Sequence, residues 1–313
     1  MIEHSHGHEH GHQHHGHHHH VPASFGRAFA IGTVLNGGFV AVQVCFGLAA
    51  HSVALLADAV HNLGDVLALV VAWGAASLAT RRPTQVRTYG WGRSTILASL
   101  SNAVVLLLGC GAIAVEAVQR FADPQPVGGS TVMWVAAAGI LINGATALLF
   151  MRGRHGDLNV RGAFLHMAAD AAVSAGVLLA GLVITLTGWR WLDPLSSLAI
   201  VAVITITTWG LLLESMNLAM DAVPDGIALS EVERLLLGLP GVVEVHDLHV
   251  WGLSTTQTAL TAHLVHDTHA DRDSLLQLAC TGVRNRFGIA HATFQVETTA
   301  LASACELRPA HVV

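Results

Sequence analysis

The sequence predicts an α-helical membrane protein, six transmembrane helices followed by a small α+β domain, and three observations carry that prediction. Hydrophobic residues make up 52% of the 313-residue chain and charged residues only 12%. Six apolar stretches lie between Phe25 and Leu213, each about the ~20 residues or more that cross ~30 Å of hydrocarbon. From Pro224 onward the pattern changes to strand-like runs and short helical periods of ordinary polarity. The division expected is a disordered His-rich tail over 1–20, a transmembrane domain over 21–221, a small domain over 222–300 and a C-terminal tail over 301–313.

The chain opens on MIEHSHGHEHGHQHHGHHHH, in which His alternates with Gly, Glu, Ser and Gln. Nothing there can build a core, and its imidazoles bind borderline metals weakly in many arrangements. An expression tag would be an uninterrupted His block with a linker, so the irregular pattern reads as a native metal-collecting tail. It lacks the layout of a signal peptide and is expected to stay on the side where it is made.

The apolar spans read as Phe25–Ala50, Val53–Ala79, Thr95–Val118, Val132–Met151, Val160–Leu186 and Leu192–Leu213. Arg81, Arg82, Arg87 and Arg93 follow the second span, and Arg152, Arg154 and Arg161 follow the fourth; the other loops carry only Arg120 and Arg190. The positive-inside rule makes the arginine-rich loops cytoplasmic, and both termini with them. Trp189 and Trp191, between the fifth and sixth spans, suit an aromatic belt at the outer interface. Every basic residue is Arg, a preference that points to a GC-rich bacterial genome more than to a physical need.

Within the second span, AVHNLGDVLALVV puts His61 and Asp65 four residues apart, hence on one helical face, with Asp58 on the same stripe. An Asp near the bilayer centre costs about 2.5 to 3.5 kcal/mol on insertion scales, so it needs a partner or a use. A bound cation is both. The spacing recurs in the fifth span, where RGAFLHMAADAAVSAG carries His166 and Asp170. The bland alternative is two unrelated polar pairs that hold helices together by hydrogen bonds. Depth supports the joint reading: His61 and Asp65 lie roughly 12 to 18 Å from the outer end of their span, and His166 and Asp170 roughly 9 to 15 Å from the inner end of theirs. The two pairs can therefore meet near the middle.

Zinc takes four ligands in a tetrahedron and accepts imidazole nitrogen and carboxylate oxygen at about 2.0 to 2.2 Å. Two His and two Asp supply that set and neutralise its charge. Magnesium and manganese favour all-oxygen sites and copper(I) favours sulfur, so zinc comes first, with cadmium or cobalt behind it. Four protein ligands leave no open position for an activated water, which argues for binding and release rather than catalysis. The ligands must be deprotonated to bind metal, so loading releases protons and protonation evicts the ion. Cys45, Cys110, Cys280 and Cys305 are scattered without a CxxC, so neither a disulfide framework nor a thiolate metal site is expected, and they read as small buried hydrophobes or free thiols.

Beyond Pro224, Ser230 and Glu233 read as a capping box that opens a helix through Leu237. Strands are expected over Val242–Trp251, Gln257–His266 and Ala292–Thr298, with a helix over Asp273–Arg286 between the last two. This α-β-β-α-β order suits a helix-covered antiparallel sheet. His246, His249, His263, His266, His269 and His291 crowd the same stretch.

With HSVALLADAVHNLGD, YGWGR, HMAADAAVSAGVL, WLDPLSSL and PGVVEVHDLHVW in view, the chain resembles the cation diffusion facilitator family, in its zinc-efflux branch, over nearly everything after the tail. The resemblance implies a homodimer of six-helix units that exports divalent metal against inward proton flow, with a ferredoxin-like cytoplasmic domain that dimerises. It implies that the His at the first position of the second-span pair, His61, marks a zinc-preferring member, where manganese-type members resemble DxxxD. It also carries over His246 (in VHDL), His263 (in AHLV) and Glu297 (in QVE) as positions that bind zinc in the cytoplasmic domains of relatives. Where some members have a His two residues before the final carboxylate, this chain has Gln295, and His249, His266 and His291 stand as lesser candidates. The loop RRPTQVRTYGWGR, where some relatives carry a second membrane-border metal site of Asp and His, has neither residue type.

Other classes fare worse. HExxH and clustered His boxes are missing from the spans, so no membrane metalloenzyme is expected, and the basic residues sit at helix ends rather than in a patch for nucleic acid. The alternative of a different class is a membrane metal sensor or channel that responds to zinc without proton-coupled transport. The expected partners are lipid, divalent metal ions, protons and a second copy, in a bacterial inner membrane.

Overall fold

The computed structural model describes residues 27–151, 158–267 and 271–305. The His-rich tail, Arg152, Arg154 and His269 lie outside the described residues. Six helices come first: α1 (Arg27–Ala49), α2 (Val53–Ala79), α3 (Ser94–Ala122), α4 (Gly129–Met151), α5 (Leu158–Thr187) and α6 (Leu192–Ala219). By length and composition α2 to α6 can each cross a membrane; the apolar part of α1, Thr33–Ala49, is shorter, although its 23 residues rise about 35 Å. Large side chains such as Trp134, Leu141 and Ile206 point outward, as helices surrounded by lipid require, while Phe39, Leu55, Val132, Val177 and Ile204 fill the bundle interior.

Small residues set the closest approaches. A Cβ on Gly129 of α4 would stand 2.9 Å from the Gly181 carbonyl oxygen of α5, so these helices meet backbone to backbone as small-residue membrane interfaces do. At the same end of the bundle, Asp193 of α6 closes the first turn of α2. Its Oδ2 accepts from the Val53 N–H at 2.7 Å, and its Oδ1 accepts from the Ala54 N–H at 3.4 Å and from the Ser52 hydroxyl at 2.5 Å. A helix start exposes orphan N–H groups and partial positive charge, so a buried carboxylate is stabilised there. Arg120 of α3 donates to the His51 carbonyl and ion-pairs with Glu116 at 2.8 Å, which ties α3 to the same corner. Trp189 and Trp191 stack at 5.7 Å on the α5–α6 turn.

The second part contains α7 (Leu229–Leu237), β1 (Val242–Gly252), β2 (Thr258–His266), α8 (Arg272–Phe287), β3 (His291–Glu297) and a final helical turn, α9 (Thr299–Ala302). Val232 and Leu236 of α7, Ala279 and Val283 of α8 and Leu260 and Leu264 of β2 make its core. The sheet order is β1-β2-β3. It is a helix-covered α+β sheet as expected, but mixed rather than antiparallel. β1 and β2 form an antiparallel hairpin with His246 opposite His263, whereas β2 and β3 run parallel with His263 opposite Gln295. The reason is the connection: Leu253–Gln257 is a short turn that reverses the chain, while α8 is a crossover that returns it in the same direction.

The expected capping box also differs. Helix α7 starts at Leu229 with Ala228 in the cap position and no side-chain cap, because the Ala228 carbonyl already accepts from Glu231 and Val232, which leaves Ser230 inside the first turn. Helix α8 is capped instead by Asp271, which accepts from the Asp273 N–H at 3.1 Å and the Ser274 hydroxyl at 2.7 Å, and it ends on Gly288 at φ +69°.

The two parts touch through the α2–α3 loop. Arg93 ion-pairs with Asp221, the Thr255 N–H donates to Thr95 Oγ1 at 3.0 Å, and Tyr89 meets His291 edge-on at 5.3 Å.

Candidate metal sites

Within α2 and α5 the four-residue spacing does what helical geometry demands: each helix offers a His and an Asp one turn apart on one face. Packing then brings the two faces together crosswise. His61 Nε2 lies 3.0 Å from Asp170 Oδ1, and His166 Nε2 lies 3.4 Å from Asp65 Oδ2 and 3.7 Å from Asp170 Oδ2. The two imidazoles stand edge to face with centroids 6.3 Å apart. His61, Asp65 and Asp170 offer ligand atoms that all lie within 4.8 Å of one another, and His166 borders this group through both carboxylates. The same atoms that hydrogen-bond in pairs can turn toward one cation, which replaces N–H···O contacts with metal bonds of about 2.0 to 2.2 Å.

The site is covered unevenly. Asp170 is 4% exposed, but Asp65 is 22%, His61 20% and His166 34% exposed. Along α2, Ser52 to Leu55 and Ala57 to Ala59 are almost wholly buried, while Leu63, Val70 and Trp73 are exposed. The buried run is the part of the helix beside Asp193, and the exposed Leu63, Val70 and Trp73 are large apolar side chains of the kind that face lipid.

Asp58 shares the sequence stripe but not the cluster. It is 1% exposed and accepts from Gln43 Nε2 of α1 at 2.6 Å, while Asn62 donates to Gln43 Oε1 at 3.1 Å and to the Asp58 carbonyl at 3.0 Å. Its carboxylate serves an α1–α2 hydrogen-bond network one turn away from the His61 side chain. No local period distinguishes these two uses.

A second cluster forms on the sheet of the small domain. Register places His246 of β1 opposite His263 of β2, and Glu297 ends β3 beside them. His246 Nε2 is 3.2 Å from Glu297 Oε2, and His263 Nδ1 is 3.0 Å from Glu297 Oε1. The rings meet edge to face at 4.9 Å. Gln295 donates to Glu297 Oε1 at 2.7 Å, so it orients the carboxylate. Sequence reasoning missed two neighbours. Asp247, at φ +50° in a register irregularity of β1, lies 3.5 Å from His263 Nε2 and 2.8 Å from His249 Nε2. Cys305, read as a small hydrophobe or free thiol, lies beside His263 within this cluster. The local signals were an Asp directly after the first His and a Cys eight residues after Glu297; neither spacing carries a known period. Of the lesser candidates, His266 is buried at the end of β2, and His291 packs on Tyr89.

Comparison with known proteins bears on both clusters. The model of the cation efflux transmembrane domain matches residues 29–218, and that of the cation efflux protein cytoplasmic domain matches residues 224–299. The chain is 35% identical over 277 residues to the cation efflux system protein CzcD of Alcaligenes sp. strain CT14, 88% of each chain. It is 36% identical over 268 residues to the zinc transporter ZitB of Escherichia coli K12, 84% of each. It is 31% identical over 279 residues, 88% of this chain and 89% of the relative, to a cadmium, cobalt and zinc/H(+)-K(+) antiporter of Bacillus subtilis.

Proposed function

Because the chain belongs to the cation efflux family, the cation diffusion facilitators, we propose that it exports Zn2+ from the cytoplasm in exchange for protons through an intramembrane site of His61, Asp65, His166 and Asp170. The observation that carries this reading is the crosswise pairing of α2 with α5, His61 with Asp170 and His166 with Asp65, between residues more than a hundred positions apart. Two imidazoles and two carboxylates neutralise a divalent ion, and the N2O2 set favours zinc, with cadmium or cobalt as secondary cargo. Metal enters this site from the cytoplasmic side and leaves on the other. Protons that re-enter from the opposite side displace it, so that metal out and protons in make one cycle.

The division of the chain into tail (1–20), six-helix unit (21–221), small domain (222–300) and end segment (301–313) follows the same reading. The contacts of Arg93 and Thr95 with Asp221 and Thr255 support a common, cytoplasmic side for the α2–α3 loop and the small domain, in a bacterial inner membrane. The small domain joins two copies and holds a regulatory metal on His246, His263 and Glu297, while the His-rich tail raises local zinc. Binding there biases transport by a coupling typically about 1 to 3 kcal/mol.

The test is metal flux into vesicles that contain the purified chain, with an imposed pH gradient and zinc, cadmium, cobalt and manganese in turn. Zinc flux is expected to follow the proton gradient and to vanish in Asp65→Ala and Asp170→Ala variants that still insert. Flux indifferent to the gradient would favour a channel or sensor, and transport by both variants at the unsubstituted rate would remove the site.

A further inference from the structure

The second cluster has three ligands of the kind zinc accepts, and a tetrahedral site needs a fourth. Gln295, which stands where some relatives carry a His, is occupied in hydrogen bonding to Glu297 and offers a poor metal ligand. The chain nevertheless returns to the cluster. After Glu297 it makes a single helical turn, α9, whose start is capped by the Thr298 hydroxyl accepting from the Leu301 N–H at 3.3 Å. The Cys305 N–H then donates to the Ala302 carbonyl at 3.2 Å, and this folded end sets Cys305 Sγ 3.7 Å from His263 Nδ1. One ligand atom each from His246, His263, Glu297 and Cys305 lie within 4.8 Å of one another.

We propose that Cys305 is the fourth ligand of a divalent-metal site formed with His246, His263 and Glu297, so that the small domain binds zinc, cobalt or cadmium through a thiolate as well as nitrogen and oxygen. The proposal rests on the reading of this domain as a metal-binding regulator and adds to it the ligand, the geometry and the softness of the site. Bonds of about 2.0 to 2.3 Å put the ligand atoms of a tetrahedron about 3.3 to 3.8 Å apart. The observed separations of 3.0, 3.2 and 3.7 Å therefore need only small side-chain movements to enclose an ion. One thiolate and one carboxylate neutralise the 2+ charge, as two carboxylates do in the membrane site.

Two further observations point to a ligand here rather than to a weak S–H contact. His246 is 7% exposed, yet its Nδ1 is buried without a hydrogen-bond partner among the described residues, so this ring is not committed on both nitrogens. His263 has its Nε2 facing the Asp247 carboxylate while its Nδ1 faces Glu297 and Cys305. That is the arrangement by which an outer carboxylate holds a metal-binding imidazole in its tautomer. The left-handed backbone of Asp247 places that carboxylate, an unfavourable conformation for a non-glycine residue that the fold retains at this one point of β1.

The test is cobalt spectroscopy on the full chain carrying Asp65→Ala and Asp170→Ala, which removes the membrane site from the signal. Added Co2+ is expected to produce intense tetrahedral visible bands together with a near-ultraviolet thiolate-to-cobalt charge-transfer band, which the cysteine-free His tail cannot generate. Adding Cys305→Ser should abolish the charge-transfer band and weaken zinc retention against a chelator at least about tenfold, the scale on which even outer-shell partners act. Cys305→His should keep tight binding without the band, which separates lost ligation from a misfolded end. Visible bands that depend on His246 and His263 but come without charge transfer, or a charge-transfer band that survives Cys305→Ser, would overturn the proposal and leave the metal reading standing. Visible bands indifferent to replacement of His246 and His263 would remove both.

Discussion

Gly92, on the loop between α2 and α3, packs so closely on the turn between β1 and β2 that a Cβ there would stand 2.8 Å from the Leu253 carbonyl oxygen. The obstacle is backbone, which cannot rotate aside as a side chain can. Beside it, Arg93 pairs with Asp221 and Thr95 accepts from Thr255, so a single patch joins the membrane helices to the strand that carries His246.

Gly92→Ala is therefore expected to force this joint apart, at a cost of roughly 1 to 3 kcal/mol typical of overpacking. A lower melting temperature of the whole chain and faster proteolysis in the segment 222–228 would register it. Unchanged melting and cleavage would show that the contact gives way freely.

Asp193→Ala removes the acceptor for Ser52, Val53 and Ala54 in a buried corner. Hydrogen bonds to a charged group contribute about 1.5 to 3 kcal/mol each, and the donors left behind lose solvation as well. The detergent-solubilised protein should lose stability by at least that amount, with Asp193→Asn intermediate because one acceptor remains. A variant as stable as the original chain would refute the capping role.

His61→Asp changes the donor set of the proposed membrane site from N2O2 to NO3 and puts a second carboxylate against Asp170, whose Oδ1 lies 3.0 Å from the His61 ring nitrogen. The harder, more negative site should shift preference from zinc toward manganese by about tenfold, or 1.4 kcal/mol. Competition between the two metals in vesicle uptake measures this, and an unchanged ratio would exclude His61 as the selectivity ligand.

Asp271 has its carboxyl held below the usual carboxylate range, first by the Ser274 hydroxyl and then by the Asp273 N–H. A folded-state pKa below the unfolded value of about 3.9 means that the cap contributes above that pH and is lost as pH falls through the folded value. Amide exchange at Asp273 and Ser274 should therefore be faster in Asp271→Ala than in the unsubstituted chain at neutral pH, with the difference closing in acid. Asp271→Asn, a cap that does not titrate, should hold protection across the range. Equal exchange in all three at neutral pH would contradict the capping assignment.

The properties legible in the sequence are those set over a few residues. Apolar length decides that a segment can span a bilayer, and the 3.6-residue period puts His61 with Asp65 and His166 with Asp170 on single faces. Alternation and turn residues mark β1, β2 and β3 to within a residue or two. Only the tertiary structure decides which faces meet. It pairs His61 with Asp170 rather than with its own helix's Asp65, and it turns Asp58 toward Gln43, although Asp58, His61 and Asp65 share one stripe of α2. The parallel pairing of β3, the capping of α2 by Asp193, the approach of Gly92 to Leu253 and the return of Cys305 to His263 belong to the same class. Each joins atoms that backbone periodicity leaves independent, and the choice among them is made by close packing and by the need of buried polar groups for partners, which are properties of the assembled fold.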